Sequence, residues 1–427
     1  MQDFGLATKC LRAGYTPKNG EPIALPIVQS TTYKYESSDA MGALFDLEAD
    51  GYFYTRLANP TNDAVAAKIA ALEGGVAGVL TSSGQAANLF AVLNLCSAGD
   101  HVVASTAIYG GTFNLFNVTL RRFGIDFTFV SPDCDDETLE AAFCENTKAV
   151  FGETLSNPSL NVFDIERFAA AAHRHGVPLI VDNTFPTPVN CRPFLFGADI
   201  VTHSTTKYMD GHATQVGGVI VDSGNFDWTQ NDKFPGLTTP DDSYHGVTYT
   251  ERFGKAAFIT KCVAQLMRDL GSIPSPHNAF LLNLGLETLP LRVKKHCENA
   301  QAVAKYLQNN KNVSWVSFPG LPGDPEYAKA QKYMPHGTSG VISFGVKGGR
   351  AAATKFMDAL RLCNIVTHVA DARTCVLHPA STTHRQLTDA QLEECGVKPD
   401  LIRLSVGLED VEDILADLEQ ALAVATA

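Results

Sequence analysis

A chain of 427 residues with 33 lysines and arginines against 46 aspartates and glutamates, formal charge -13, offers no general surface for nucleic acid, because little of it would release counterions from a polyanion. Its length exceeds a single typical core, and 45% hydrophobic with 19% charged residues is an ordinary globular composition, so two or three domains are expected. No apolar run nears membrane-spanning length, the first residues lack a signal-peptide core, and the ten cysteines are scattered without a Cys-x-x-Cys pair; a cytoplasmic protein with no membrane partner, no metal and no disulfide framework is expected.

Residues 1–60 read as an arm, interrupted by Pro17, Pro22, Pro26 and Pro60 and without a sustained apolar period. Such a segment ties itself to another surface, and near its end Tyr54-Thr55-Arg56 adds a guanidinium able to grip a phosphate through two parallel hydrogen bonds. Beyond Asn59-Pro60, the helical spacing of Val65, Ile69 and Leu72 predicts a helix that Gly74-Gly75 stops. From 76 to 220, short apolar runs at His101-Val-Val-Ala, Phe127-Thr-Phe-Val, Ala149-Val-Phe and Leu179-Ile-Val alternate with amphipathic stretches, the rhythm of βα units on a mostly parallel sheet. Within this span Thr81-Ser-Ser-Gly84-Gln85 has the form of a turn opening a helix, whose N-terminus suits an anion. Tyr109-Gly-Gly-Thr puts a ring on a turn, where it can stack on a flat ligand, and Asn157-Pro158 offers an amide beyond a strand. His173 and His175, two apart, do not share a helix face and read as surface residues rather than metal ligands.

Val177-Pro-Leu-Ile-Val-Asp182 reads as a buried strand with an acid at its exit, and Ser204-Thr205-Thr206-Lys207 closes the next apolar run. Ligands of open α/β sheets sit beyond the carboxyl ends of the strands, which sets Asp182, Ser204, Thr206 and Lys207 about one crevice. Singly, Lys207 reads as a loop lysine and Asp182 as a helix cap. Together they suit pyridoxal 5'-phosphate, which needs an amine to bond its aldehyde, a carboxylate to keep its ring nitrogen protonated and hydroxyl donors for its phosphate. Residues 222–255 predict an ordered insertion, because Trp228, Phe234, Tyr244 and Tyr249 carry too much apolar area to leave wet. A second domain starts near 256, with helices through Leu291 and Leu307, strands at Val341-Ile-Ser-Phe-Gly-Val and Leu401-Ile-Arg403-Leu-Ser-Val, and a last helix presenting Val411, Ile414, Leu415, Leu418 and Leu422 on one face. Arg403 lies in an otherwise apolar strand and demands a carboxylate partner, from the protein or from a substrate.

Taken in order, Tyr54-Thr-Arg56 with Asn59-Pro60-Thr61, Ser82-Ser-Gly84-Gln85-Ala-Ala, Tyr109-Gly-Gly-Thr, Asn157-Pro158, Asp182-Asn-Thr, Ser204-Thr-Thr206-Lys207-Tyr, His378-Pro-Ala-Ser-Thr-Thr-His and Arg403-Leu-Ser-Val-Gly-Leu-Glu span nearly the whole chain. In this set the chain resembles the Cys/Met-metabolism family of pyridoxal-phosphate enzymes. The resemblance implies an α/β architecture of fold type I, aspartate aminotransferase-like, with a mostly parallel sheet in a large domain and a smaller α/β C-terminal domain. It implies an arm at 1–60 contacting a neighbouring subunit, a cofactor-binding domain at 61–255 with an insertion at 222–255, and a C-terminal domain at 256–427. By the same resemblance Lys207 bonds to the cofactor, Asp182 pairs with its ring nitrogen, and Gly84, Gln85, Ser204 and Thr206 hold its phosphate. Tyr109 stacks on the ring and takes part in catalysis, Asn157 contacts ring oxygen and substrate, and Arg403 takes the substrate carboxylate. Tyr54 and Arg56 then reach the phosphate of a neighbouring subunit, in a homotetramer built from dimers that share active sites.

The implied activity is γ-replacement, in which a homoserine ester and sulfide or a small thiol become homocysteine or methionine as the acyl group leaves. The family's sulfhydrylases acting on O-acetylhomoserine share the 222–255 insertion and the run Ser381-Thr-Thr-His384-Arg385-Gln386-Leu387, whereas methionine γ-lyases carry a cysteine where this chain has Gly111. Cystathionine γ-synthases and the γ-lyases are the alternative, and a non-catalytic cofactor-binding protein, expected to lack Lys207 or Arg403, is a remote one. Thr367-His368-Val-Ala370-Asp departs from the Asn-Val-Gly-Asp pattern of the sulfhydrylases, with His368 in place of asparagine and Ala370 in place of glycine.

Overall fold

Residues 4–382 and 398–426 are described by a computed structural model. Seven strands build the first sheet: β1 (Ala77–Thr81), β2 (His101–Ser105), β3 (Asp126–Val130), β4 (Thr147–Glu153), β5 (Leu179–Asp182), β6 (Ile200–Ser204) and β7 (Gly218–Asp222), in the order β1-β7-β6-β5-β4-β2-β3. The β3, β2, β4, β5 and β6 neighbours pair in parallel, while β7 runs antiparallel to both β1 and β6. Covered on both faces, these parallel strands have apolar centres: Val102, Val103, Val150, Ile180, Val181, Ile200 and Val201 are inaccessible to solvent.

Parallel pairing gives β4, β5 and β6 a common carboxyl edge. Glu153 stands opposite Asp182 in register, and Asp182 opposite Thr202. Two helices start near this edge. Ser83 caps Gly84–Leu93 by accepting from the Ala86 N–H. Asn59 caps Pro60–Glu73 by accepting from the N–H groups of Thr61 and Asn62, with Pro60 in the first turn and Gly74 ending it at φ +85°.

A second sheet comprises β8 (Val313–Ser317), β9 (Val341–Val346), β10 (Asn364–Ile365), β11 (Cys375–Leu377) and β12 (Leu401–Ser405), in the order β10-β11-β12-β9-β8. Its pairs are antiparallel except β10 with β11. Helices Leu289–Asn309, Gly349–Ala359 and Val411–Thr426 close over it in one apolar core. The last helix buries Ile414, Leu418, Ala421, Leu422 and Ala425, with Val411 and Leu415 at its margin. The Asp417 carboxylate on that helix accepts from the N–H groups of Arg361, Leu362 and Cys363, which ties the chain after Gly349–Ala359 to the last helix.

The arm holds two helices that its sequence does not announce, Leu6–Arg12 and Ser38–Phe45. Seven or eight residues are too few for an apolar period to emerge, yet Cys10 is fully buried in the core that contains Val65 and Ile69. The 222–255 segment is ordered by short helical turns, with Trp228 stacked on Phe258 at 5.4 Å and Phe234, Tyr244 and Tyr249 buried beside them. Residues 257–267 then pack in the same core as the first sheet.

Candidate active site

A cavity of about 250 Å³ opens at the carboxyl edge of β4, β5 and β6, and the loop before β11 and one residue of β12 close it from the second sheet. Of the eleven residues singled out from the sequence, nine line it: Gly84, Gln85, Tyr109, Asn157, Asp182, Ser204, Thr206, Lys207 and Arg403. Tyr54 and Arg56 do not. Arg56 donates from Nη1 to the Arg268 carbonyl, and its guanidinium carbon lies 5.2 Å from the centre of the Tyr54 ring. Both face a separate groove of about 660 Å³, lined also by Tyr33, Phe45 and Tyr244.

Lys207 follows β6 in a turn whose N–H donates to the Ser204 carbonyl at 3.3 Å. Burial lowers its amine to about 8, and the Arg403 cation pushes the same way. A usable fraction of this amine is therefore unprotonated near neutral pH, as a nucleophile or base requires. Asp182 ends β5 facing the same space. Its Oδ2 accepts from Asn88 Nδ2 at 3.2 Å, and its Oδ1 from the Thr184 N–H at 3.0 Å and from the Thr184 hydroxyl. Asn88 is fixed in turn by the Thr202 hydroxyl at 2.6 Å, so the carboxylate is aimed by two residues of neighbouring elements.

Glu153 was not among the residues read from the sequence. It ends β4 inside the cavity and accepts from the Tyr109 N–H at 2.6 Å. Burial, with the Asp182 charge next to it, raises its carboxyl well above the usual range. The signal was an acid in an otherwise apolar strand, in Phe151-Gly-Glu153-Thr.

Gly84 is required by a close approach. A Cβ there would stand 2.6 Å from the Ser204 Cβ and 2.8 Å from its Cα, so only glycine lets the helix start press against β6. The resemblance gives Gly84 to the phosphate, and the close approach observed is to Ser204. The contact brings the first-turn N–H groups of Gly84–Leu93, which lack intrahelical acceptors, beside the hydroxyls of Ser204 and Thr206. Thr206 Oγ1 accepts from the Gly217 N–H at 3.0 Å and is held in place by it.

Arg403 is 7% exposed and has no carboxylate in ion-pair reach among the described residues. Its Nη1 donates to Asn157 Oδ1 at 3.2 Å, and its Nη2 to the carbonyls of Thr367 at 3.0 Å and His368 at 3.3 Å. Burial lowers it to about 10, and a guanidinium so placed gains from a ligand anion what the protein does not supply. Across the cavity the Tyr109 ring rests over Gly111, where a Cβ would come within 2.5 Å of the ring and 2.9 Å of Gln85 Nε2. An amine, a carboxylate, a hydroxyl-lined helix start and an uncompensated arginine together fit pyridoxal phosphate and an amino-acid carboxylate.

His173 and His175 bond to separate carboxylates, Asp199 at 2.8 Å and Glu140 at 2.7 Å. Among the described residues no His, Cys, Asp or Glu group is arranged to hold a metal, and no helix is long and apolar enough to cross a membrane. In the run after His378, Ser381 and Thr382 are described, whereas His384, Arg385, Gln386 and Leu387 lie outside the described residues.

Residues 7–423 match the family model for Cys/Met metabolism PLP-dependent enzymes. The chain belongs to that family. A homocysteine synthase of Schizosaccharomyces pombe is 49% identical over 94% of this chain and 94% of its own. An O-acetyl-L-homoserine sulfhydrylase of Leptospira meyeri is 46% identical over 93% of this chain and 92% of its own. Among solved structures, a Campylobacter jejuni protein assigned as an O-acetylhomoserine (thiol)-lyase superposes with a TM-score of 0.94 at 37% identity, covering 98% of this chain and 100% of that one. That structure carries a pyridoxyl-lysine phosphate. This family member is thus a PLP-dependent enzyme of mixed, mostly parallel α/β architecture.

Proposed function

We propose that the chain converts O-acetylhomoserine and sulfide, or a small thiol, into homocysteine or its thioether and acetate. The observation that carries this reading is the pairing, in one cavity, of a lysine amine lowered to about 8 with a buried arginine that lacks a counter-charge among the described residues. The names of relatives at 44–49% identity support the choice of substrates.

Bound in this cavity, pyridoxal phosphate supplies an electron sink for charge that develops on the carbons of the amino acid. Arg403 binds the α-carboxylate, and Asn157 fixes the guanidinium plane that receives it. Asp182, aimed by Asn88 and Thr184, keeps a ring nitrogen protonated, while the helix start at Gly84 and Gln85 and the hydroxyls of Ser204 and Thr206 hold the phosphate. Tyr109 covers the ring face. Lys207 bonds the cofactor at rest and, once freed, moves protons at the α and β carbons, for which its lowered basicity suits it. Acetate leaves the γ carbon, and the sulfur of sulfide forms the new bond there.

The placing of Tyr54 and Arg56 on a groove apart from Lys207 supports a homotetramer built from dimers, in which the arm of one copy completes the site of another. In this reading 1–60 is the arm, 61–255 with its 222–255 insertion the large domain and 256–427 the C-terminal domain. Support comes from the two sheets, which fall within 77–222 and 313–405. We assign the enzyme to the cytoplasm.

The test sets two reactions side by side. Homocysteine formation from O-acetylhomoserine and sulfide is expected to be much faster than cleavage of methionine to a ketoacid. The reverse ratio would make the protein a γ-lyase.

A further inference from the structure

The loop between β10 and β11 turns His368 toward Lys207. His368 Nδ1 lies 3.5 Å from Lys207 Nζ, and on the far side of the ring Nε2 lies 3.7 Å from Asp371 Oδ2. That Nε2 is buried and has no hydrogen-bond partner among the described residues, so the imidazole stands between an amine and a carboxylate with one ring nitrogen unspent. The backbone holds it there. Arg403 Nη2 donates to the carbonyls of Thr367 and His368, the Ala370 N–H donates to Ser405 Oγ at 2.7 Å, and Arg373 Nε donates to Asp371 Oδ1 at 2.7 Å. Ala370 takes φ +65°, a left-handed conformation that the surrounding contacts must enforce. His368 itself is not part of the cavity wall, although Thr367 and Val369 on either side are.

We infer that His368 is a positioning residue for Lys207: when Nζ is not engaged by the cofactor, Nδ1 accepts a hydrogen bond from the ammonium and can receive its proton, with Asp371 steadying Nε2–H. The inference rests on the reading of Lys207 as the proton-moving group. The transfer is balanced within the pair, since ammonium and neutral imidazole become amine and imidazolium and the reverse step restores both. The charged groups that act on the ring are Lys207 and Asp210 from the segment after β6, Arg403 from β12, and Asp371 on its own loop, where Arg373 bonds it. Burial and then the Lys207 cation lower the imidazole below its usual value, with Asp371 and Asp210 opposing and Arg403 adding to the fall. The ring is therefore neutral and accepting at neutral pH, and loses this capacity as pH falls through that lowered value.

His368→Asn keeps a short polar side chain without a titratable nitrogen, and His368→Ala removes both. Two readouts on the holoenzyme saturated with L-norvaline, an amino acid without a leaving group that frees Lys207, test the idea. Competitive acetylation of Lys207 across pH, followed by peptide mass spectrometry, is expected to show its apparent pKa about one unit lower in His368→Ala, because an acceptor that stabilised the ammonium is gone. Exchange of the norvaline α proton for solvent deuterium is expected to slow at least about tenfold in both variants, with the acid limb of its pH profile reduced to the titration of Lys207 alone. If either readout is unchanged, the inference is overturned. It is also overturned if both variants lose cofactor or circular dichroism, since His368 would then be structural. Absence of exchange in the wild type would instead contradict the proposed function, and the acetylation curve alone would then decide for or against His368.

Discussion

Arg403 has acceptors for its N–H groups but, among the described residues, no opposite charge, and this separates it from an arginine that merely braces a fold. Lysine in its place would keep the charge and lose the planar grip. Arg403→Lys is expected to weaken O-acetylhomoserine binding by about 1 to 3 kcal/mol while leaving bound cofactor unchanged. Steady-state kinetics and cofactor absorbance read the two effects; loss of cofactor at an unaltered KM would mean that Arg403 does not meet the substrate. Lys207, Asp182 and Arg403 were legible in the sequence because each is a polar residue at an otherwise apolar strand or its end, where burial demands a reason. Glu153 has the same signature but stands beside no recognisable turn or motif. Its meaning comes only from facing Asp182 across two strands, a pairing that a linear sequence does not display. Asn88 is invisible for a similar cause, since it acts on Asp182 from another element, whereas Thr184 stands two residues beyond Asp182 in the Asp182-Asn-Thr run.

At the scale of elements, the strands were readable because parallel pairing buries both faces and leaves short continuous apolar runs. The two arm helices were not, being shorter than the window in which a helical period can emerge. The turn at Tyr109 shows how an element fixes the place of a ring in the cavity. Gly110–Asn114 begins with a glycine pair, and any side chain at Gly111 would displace the Tyr109 ring. Gly111→Cys is expected to lower turnover by roughly 10- to 100-fold through misplacement of that ring, with a shifted cofactor absorbance, and Gly111→Ala to do the same. If the cysteine variant alone loses activity, the thiol rather than the lost space is responsible. Full activity in both would show that the ring has no role.

For the whole molecule, the question is what the arm completes. Tyr54 and Arg56 line a groove within their own chain that does not include Lys207, so in the proposed assembly each site takes Lys207 from one copy and Arg56 from another. Lys207→Ala and Arg56→Ala, unfolded and reassembled together, would form mixed pairs with one doubly damaged and one intact site. Activity is then expected to return to at most about a quarter of wild type under random mixing, while each variant refolded alone stays at its own low level. No gain despite confirmed exchange of labelled chains would place each site within a single chain.

The central claim is that this cavity replaces the γ substituent of a homoserine ester by sulfur, with Lys207 moving the protons. It is tested most directly by following homocysteine and acetate together, from O-acetylhomoserine and sulfide, in the wild type and in Lys207→Ala. The account predicts equal molar release of both products by the wild type, and neither above background in a folded Lys207→Ala. Acetate without homocysteine, or homocysteine formed at the wild-type rate by Lys207→Ala, would contradict it.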